Sequence, residues 1–374
     1  MPRLWIDGRG VLCVTSSSWG GNVKKFARTA VGAASVVVLA AALGACGGDD
    51  DGGGSSSDSK TIALLLPETK TTRYEAFDKP LFEAKVQELC DDCEVKYLNA
   101  DQDASKQQQQ AESAITDGAA VLVLDPVDSE AAVGIVKSAQ SSDVPVIAYD
   151  RFIEGADYYM SFDNERVGEL QGEALVEATG GSGDILMLNG APTDPNAAQF
   201  KTGAHKAIDA SGLNVVAEFD NPDWSPDNAQ KFVTSQLNNI DAASLAGVYA
   251  ANDGQAGGVI AALRADGLTK FPPVTGQDAE LAAIQRIVAG DQFMTIYKSI
   301  KTEAEKAAEV AVALVNGDDV GETTDFQGVK SFIFDPVVVT TDNVNDTVVA
   351  DGFYSVEDIC TAEYADACAA AGLS

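Results

Sequence analysis

Histidine is nearly absent from this sequence, with one residue, His205, in 374. It falls inside an expected helix, where a lone histidine is more often a surface or core residue than a catalytic one. Basic residues are also scarce: Lys and Arg number 25 against 57 Asp and Glu. Five of the former and one of the latter precede Cys46, so the remainder carries 20 and 56, a net charge of −36. A surface so acidic repels nucleic acid and anionic lipid. A sugar-responsive repressor would need a basic helix-turn-helix, which the chain does not offer. There is no GxSxG nucleophile elbow, no phosphate-cradling GxxxxGK[ST] loop and no Cys/His metal cluster. Gly181-Ser182-Gly183, before a strand, is too short for a dinucleotide fingerprint. No cofactor, resident metal or nucleic-acid partner is therefore expected, and the chain is not expected to be an enzyme. A glycosidase needs only two suitably spaced carboxylates, so that class stays open on sequence grounds.

What is present begins with a leader. Lys24, Lys25 and Arg28 precede the uncharged run Thr29–Ala45, TAVGAASVVVLAAALGA, which suits the apolar core of a signal peptide. The run ends in LGAC and resembles the bacterial lipoprotein signal, in which the cysteine is lipidated and becomes the new N-terminus. Cys46 is thus the expected lipid site, and residues 1–45 the removed leader. Residues 1–22 fit no part of a signal, and Val23 is the expected start. Gly47–Lys60, GGDDDGGGSSSDSK, has no apolar residue and cannot bury a core. Residues 46–60 read as a tether. The 14 residues after Cys46 reach roughly 20 Å as a flexible coil. Four cysteines remain beyond Cys13 and Cys46, an even number in an exported chain. Of the three possible connectivities, Cys90–Cys93 with Cys360–Cys368 is favoured. Cys90-Asp-Asp-Cys93 follows an expected helix and sits among Asp91, Asp92 and Glu94, which disfavours a redox thiolate.

From Lys60 onward, short apolar runs alternate with longer amphipathic ones. Ten strands are expected between Ile62–Leu66 and Phe293–Tyr297, with Pro273–Thr275 among them. Nine helices are expected between Tyr74–Leu89 and Thr302–Val315. The strands are rich in Val, Ile and Leu without alternation, so both faces should be covered, as in the parallel sheets of an α/β fold. Ten strands exceed one comfortable sheet, and two lobes fit better. The division falls near Phe162–Asn164, where two strands follow one another without a helix. The late helix Thr302–Val315 is expected to return to the first lobe. The lobes are then 60–163 with 299–330, and 164–298 with 331–374.

In parallel α/β sheets, ligands bind outside the carboxyl ends of the strands. Arg73 and Tyr74 follow the first strand, Asp150 and Arg151 follow VIAY, and Asp194 and Asn196 lie in NGAPTDPNA. Trp224 lies in DNPDWSPD, Asn252 in ANDG and Asp278 in TGQDAE, while Lys298 follows TIY. Asp and Asn accept or donate in pairs, and Arg and Lys donate, which matches an array of hydroxyls. Tyr74 and Trp224 offer flat apolar faces suited to the C–H face of a sugar ring. Asp150 and Arg151 are expected to orient one another at a cleft. Taken singly, Asp194 reads equally well as a helix cap, Asn252 and Asp278 as turn residues and Trp224 as a core anchor. The recurrence of polar residues at one edge of so many strands outweighs those separate readings.

At these positions VIAYDR, YYMSFDNERVGELQGEAL, GAPTDPNA, ANDGQAGG, TGQDAELAAIQRIVAG and TIYKSI closely resemble the family of periplasmic xylose-binding and multiple-sugar-binding proteins that feed ABC transporters. The likeness runs from about Lys60 to Asp358. It implies two Rossmann-like lobes with parallel sheets joined by a three-strand hinge, the type I periplasmic binding protein fold. It implies one monosaccharide, D-xylose or a related aldopyranose such as glucose, held by Arg73, Asp150, Arg151, Asp194, Asn196, Trp224, Asn252, Asp278 and Lys298. Tyr74 stands where the family commonly has Trp, and Pro195 where relatives often carry Asn. Also implied are a monomer, delivery to ABC permease subunits, and a place on the outer face of the cytoplasmic membrane, held by lipid alone. A chemoreceptor or sensor kinase is the alternative recipient, and a glycoside-processing enzyme the alternative class. Cys46→Ser is expected to release the protein into the medium or leave it unprocessed. Membrane retention without a lipid label would overturn that assignment.

Overall fold

The computed structural model describes residues 60–373. The expected leader, Cys46 and the tether up to residue 59 lie outside the described residues. The first elements are β1 (Thr61–Leu66), a π-turn (Tyr74–Asp78), α1 (Lys79–Leu89), β2 (Glu94–Asn99), α2 (Ala104–Thr116), β3 (Val121–Leu124), α3 (Ser129–Gln140), β4 (Val146–Tyr149) and β5 (Tyr158–Phe162). Next come α4 (Asn164–Thr179), β6 (Ser182–Asn189), α5 (Pro195–Ile208), β7 (Gly212–Asp220), α6 (Pro226–Gln236), β8 (Gly247–Ala250), α7 (Asp253–Ala265), α8 (Leu281–Ala289) and β9 (Thr295–Tyr297). The last are α9 (Ile300–Asn316), β10 (Thr324–Phe326), β11 (Val329–Phe334), β12 (Val337–Val339), α10 (Val356–Ile359) and α11 (Ala365–Ala370).

One sheet runs β10-β11-β5-β4-β3-β1-β2 and another β7-β6-β8. Every pairing in them is parallel except β10 with β11. The apolar runs lack alternation because both faces are covered. On β1, Ile62, Leu64 and Leu66 meet α1 and α9, while Ala63 and Leu65 meet α2 and α3. On β6, Ile185 and Met187 meet α4 and α5, while Leu186 and Leu188 lie with α6 and α7. The chain passes between the sheets three times: after β5, after β9 and after β11. Two of these passages are tied together, Asp163 N–H donating to Phe334 O at 3.0 Å. Helix α9 packs against the first sheet through Ala304, Ala307, Ala308 and Ala311. This is the type I periplasmic binding protein architecture.

Several elements differ from expectation. Tyr74–Leu89 is not one uniform helix, because Pro80 has no N–H to continue the α-pattern and its ring crowds the preceding turn. Lys79 N–H reaches back five residues to Tyr74 O instead. Pro273–Thr275 is reduced to a single bridge, Val274 with Val248. The strand expected at Phe293–Tyr297 begins at Thr295 and pairs antiparallel with β12, so not all pairing is parallel. Strands β10, β11 and β12 were not anticipated, although β12 is the apolar run Val337–Val339 and β11 ends in Phe332-Ile333-Phe334. The first two form a hairpin turned at Gln327 and Gly328, whose φ of 53° and 85° suit a tight two-residue turn. β11 continues past residue 330 within the first sheet.

Cys90 is bonded to Cys93 and Cys360 to Cys368. The C-terminal segment buries Ile359, Cys368 and Leu373 with Ile284 and Ile287 of α8. No described helix is long and apolar enough to cross a membrane. Helices α4 and α5 cross through glycine. A Cβ at Gly203 would lie 2.0 Å from Glu165 O, and one at Gly168 would lie 1.9 Å from Phe200 O. Gly203→Ala is therefore expected to cost about 1–3 kcal/mol of stability. That loss would be read as a lower denaturant midpoint at unchanged slope, and a wild-type midpoint would refute the close crossing.

Candidate ligand-binding cleft

The carboxyl ends of the strands converge on one closed-down cavity of about 20 Å³, roughly the room one water molecule needs. All ten candidate residues line it: Arg73, Tyr74, Asp150, Arg151, Asp194, Asn196, Trp224, Asn252, Asp278 and Lys298. All ten are buried. Thr71, Phe200 and Gln277 line it too and were not anticipated. Gln277 directly precedes Asp278 in TGQDAE, and Phe200 lies one helical turn beyond Asn196. Those positions carried the available signal.

Local geometry aims these side chains. The loop after β1 is turned by Glu68, whose carboxylate accepts from the N–H groups of Lys70 and Thr71. Asp194 caps α5 by accepting from Asn196 N–H at 2.8 Å, and Asn252 caps α7 by accepting from Gln255 N–H at 3.0 Å. The capping reading of Asp194 is therefore right, Asn252 is a cap where a turn residue was expected, and both also face the cavity. Asp150, Trp224 and Asp278 hold φ at 58°, 59° and 89°. Such backbone costs about 1–3 kcal/mol at each non-glycine residue and persists where surrounding contacts over-determine it. Trp224 packs directly on Gly190, where a Cβ would lie 2.0 Å from the ring. Its Nε1 donates to Asp194 Oδ2 at 3.2 Å.

The charges form two centres and a pair. Arg73 gives Nε and Nη2 to Asp78 at 3.0 and 2.7 Å, Nη1 to Asp150 at 3.0 Å, and Nη2 to Glu303 at 2.8 Å. Arg151 meets Asp194 through Nε at 2.9 Å and Asp125 at 3.3 Å. Its other nitrogens donate to Pro126 O at 2.8 Å and Tyr74 Oη at 3.1 Å. Lys298 pairs with Asp278 at 3.0 Å. The expectation that Asp150 and Arg151 orient one another is thus corrected. Asp150 holds a positive φ just past the end of β4, and each side chain finds its partner elsewhere, Asp150 with Arg73 and Arg151 with Asp194 and Asp125.

Burial pushes the Asp150 carboxyl up, but Arg73, Lys298 and Arg151 outweigh it and hold the group below its ordinary range. Asp194 is raised, burial exceeding the pull of Arg151. Asp125 lies well above its usual value, again through burial. Residues from the two sheets also touch directly. Asn196 Nδ2 donates to Asp150 O at 3.0 Å and Oδ1 at 3.1 Å, and Lys70 meets Asp223 at 2.6 Å. Two buried acceptors at the cavity, Asn196 Oδ1 and Gln277 Oε1, receive no hydrogen bond from the protein. His205 lies away from the cavity, partly exposed, between Asp209 and Glu218.

A two-lobed α/β chain with a small, buried, polar cleft between its sheets is the architecture of an extracytoplasmic binding protein. A family model described as periplasmic binding protein domain matches residues 62–319. The D-xylose-binding periplasmic protein of Escherichia coli (strain K12) is 38% identical over 312 residues, covering 80% of this chain and 92% of that protein. The multiple sugar-binding periplasmic receptor ChvE of Rhizobium radiobacter is 31% identical over 293 residues, covering 69% and 81%. A crystal structure of an ABC transporter solute binding protein from Clostridium phytofermentans with bound β-D-glucose matches with a TM-score of 0.73 at 26% identity. It covers 80% of this chain and 99% of that one. The chain belongs to the periplasmic binding protein family.

From Cys46 onward Trp224 is the only tryptophan, so its emission reports on this cleft. Gly190→Ala is expected to push the indole out of its site and shift the emission to the red. An unchanged spectrum would mean the ring tolerates the added methyl.

Proposed function

We propose that this protein binds a neutral monosaccharide, D-xylose or a close aldopyranose relative, between its two lobes and delivers it to an ABC permease. The observation that carries this reading is the charge balance of the cleft. Three cations, Arg73, Arg151 and Lys298, and three carboxylates, Asp150, Asp194 and Asp278, line the cavity, so a neutral, hydroxyl-rich ligand fits better than an acid or an amine. Each of those carboxylates already meets a cation. That arrangement favours holding hydroxyls over the free acid and base a glycosidase needs. Tyr74 and Trp224 add ring faces at the same wall. The relatives named for xylose and for multiple sugars support the same ligand class.

In this reading one lobe is built on the seven-stranded sheet and the other on the three-stranded sheet with β9 and β12. The lobes close on the sugar, and the protein acts as a monomer held outside the cytoplasmic membrane by lipid on Cys46. Titration calorimetry with xylose, glucose, arabinose and galactose tests the ligand. Xylose or glucose should bind to wild type, and Asp150→Ala should lose about 2–4 kcal/mol of that binding. No heat with any aldose, or wild-type affinity in Asp150→Ala, would refute the reading.

Closure should also respond to pH. Glu280, at the start of α8, accepts from Thr72 N–H on the opposite side of the cleft, and burial together with Asp278 pushes its carboxyl up to about 7. In an open form the same group would titrate near ~4.3. A pKa raised on closing means that closing takes up a proton. The advantage is full below the open value and is lost as pH rises through the closed one. Affinity is therefore expected to fall up to about tenfold between roughly pH 6 and 8, and to stay flat in Glu280→Gln. A flat wild-type profile would remove Glu280 from the closure.

A further inference from the structure

Arg73 is held more firmly than a ligand contact requires. Asp78 grips its fork from the π-turn, Asp150 takes Nη1, and Glu303 takes the second hydrogen of Nη2. A guanidinium has five N–H groups. Four are committed within the protein, and the fifth lies on Nη1, the nitrogen that also holds Asp150. Glu303 does not line the cavity. It is wholly buried, one turn inside α9, on the segment that leaves Lys298 and the passage after β9. Nothing in the sequence near Arg73 announces it, since the two residues are 230 positions apart.

We propose that Glu303 is a positioning residue for the ligand, fixing the Arg73 fork from behind so that its one uncommitted N–H is presented to a sugar hydroxyl. The proposal rests on the reading of Arg73 as a ligand contact. Without Glu303, the guanidinium would still have Asp78 along one edge. Nη2 would then carry a buried hydrogen with no acceptor, and the fork would be free to turn toward one. The role calls for an acceptor oxygen and does not call for negative charge. Burial, with Asp150 and Asp78 nearby, raises the Glu303 carboxyl well above its ordinary range against the pull of Arg73 and Lys298. Its Oε2 accepts from Arg73 Nη2 at 2.8 Å. Its other oxygen, Oε1, has no hydrogen-bond partner, so a single acceptor oxygen carries the contact to Arg73. Glutamine has the same shape and the same acceptor, so it should replace Glu303, whereas an apolar side chain of equal bulk should not.

The test is xylose titration calorimetry on wild type, Glu303→Gln, Glu303→Met and Glu303→Ala, each also in an Arg73→Lys background that keeps the buried positive charge. Glu303→Met fills the volume, so the comparison survives if Glu303→Ala does not fold. Glu303→Gln should bind within about threefold of wild type, and Glu303→Met about tenfold or more weakly. In the Arg73→Lys background Glu303→Met should cost little further, because a residue that acts through Arg73 has no separate effect once the fork is gone. Equal losses in both backgrounds, wild-type binding by Glu303→Met, or a Glu303→Gln variant as weak as Glu303→Met would each overturn the proposal. Wild-type affinity in Arg73→Lys alone would instead overturn the reading of Arg73 as a ligand contact, and the positioning role with it.

Discussion

Arg73 and Arg151 are buried cations that need carboxylates, and the site depends on how that need is met. Removing a guanidinium from water is tolerable only where fixed acceptors replace the lost hydration. Asp78, Asp150 and Glu303 do this for Arg73, and Asp125 and Asp194 for Arg151. Removing one partner from such a set typically costs about 3–5 kcal/mol, because the charges left behind remain buried. The network therefore constrains the backbone. It keeps Asp150 at a positive φ at the end of β4. It draws Asp194 and Asn196, which follow β6 of the other sheet, against Asp150 and Arg151.

The architecture brings these groups together without any of them being close in sequence. Each parallel strand ends on the same side of its sheet, and each crossover helix returns the chain to start the next strand. A polar residue just after a strand is thus delivered to a common edge. Pro80 adds a local device. By interrupting the α-pattern it leaves a π-turn at Tyr74–Asp78, which sets Asp78 beside the guanidinium of Arg73, five residues before it.

Charge has two uses in this molecule. Outside, the acidic excess is dispersed over solvated side chains, where it favours solubility and contributes little to fold. Inside, positive and negative groups are matched at the cavity wall, with further carboxylates behind it at Asp78, Asp125 and Glu303. Burial holds Asp125 and Glu303 well above their ordinary pKa. The inner wall presents donors and acceptors in fixed directions, with Arg73, Arg151 and Lys298 facing Asp150, Asp194 and Asp278.

The sequence by itself determined the α/β alternation, the coverage of both sheet faces and the identity of the residues at the strand ends. Ten of these line one cleft in the structure. Apolar runs such as VIAY, with polar residues directly after them, are local signals, and local signals are what a single chain displays. Tertiary structure alone decided the pairing. Asp150 sits next to Arg151 in the chain, yet its cation is Arg73, 77 positions earlier, and the Arg73 carboxylates include one 230 positions later. Thr71, Phe200 and Gln277 also joined the wall, the last two beside expected residues, one turn beyond Asn196 and directly before Asp278. The short strands β10 to β12 were also missed: β10 pairs with β11, β11 with β5 and β12 with β9, partners that the order of residues does not reveal. Hydrogen bonds and ion pairs act over about 3 Å, so which groups meet depends on where the folded backbone brings them, and that distance is not written in the order of residues.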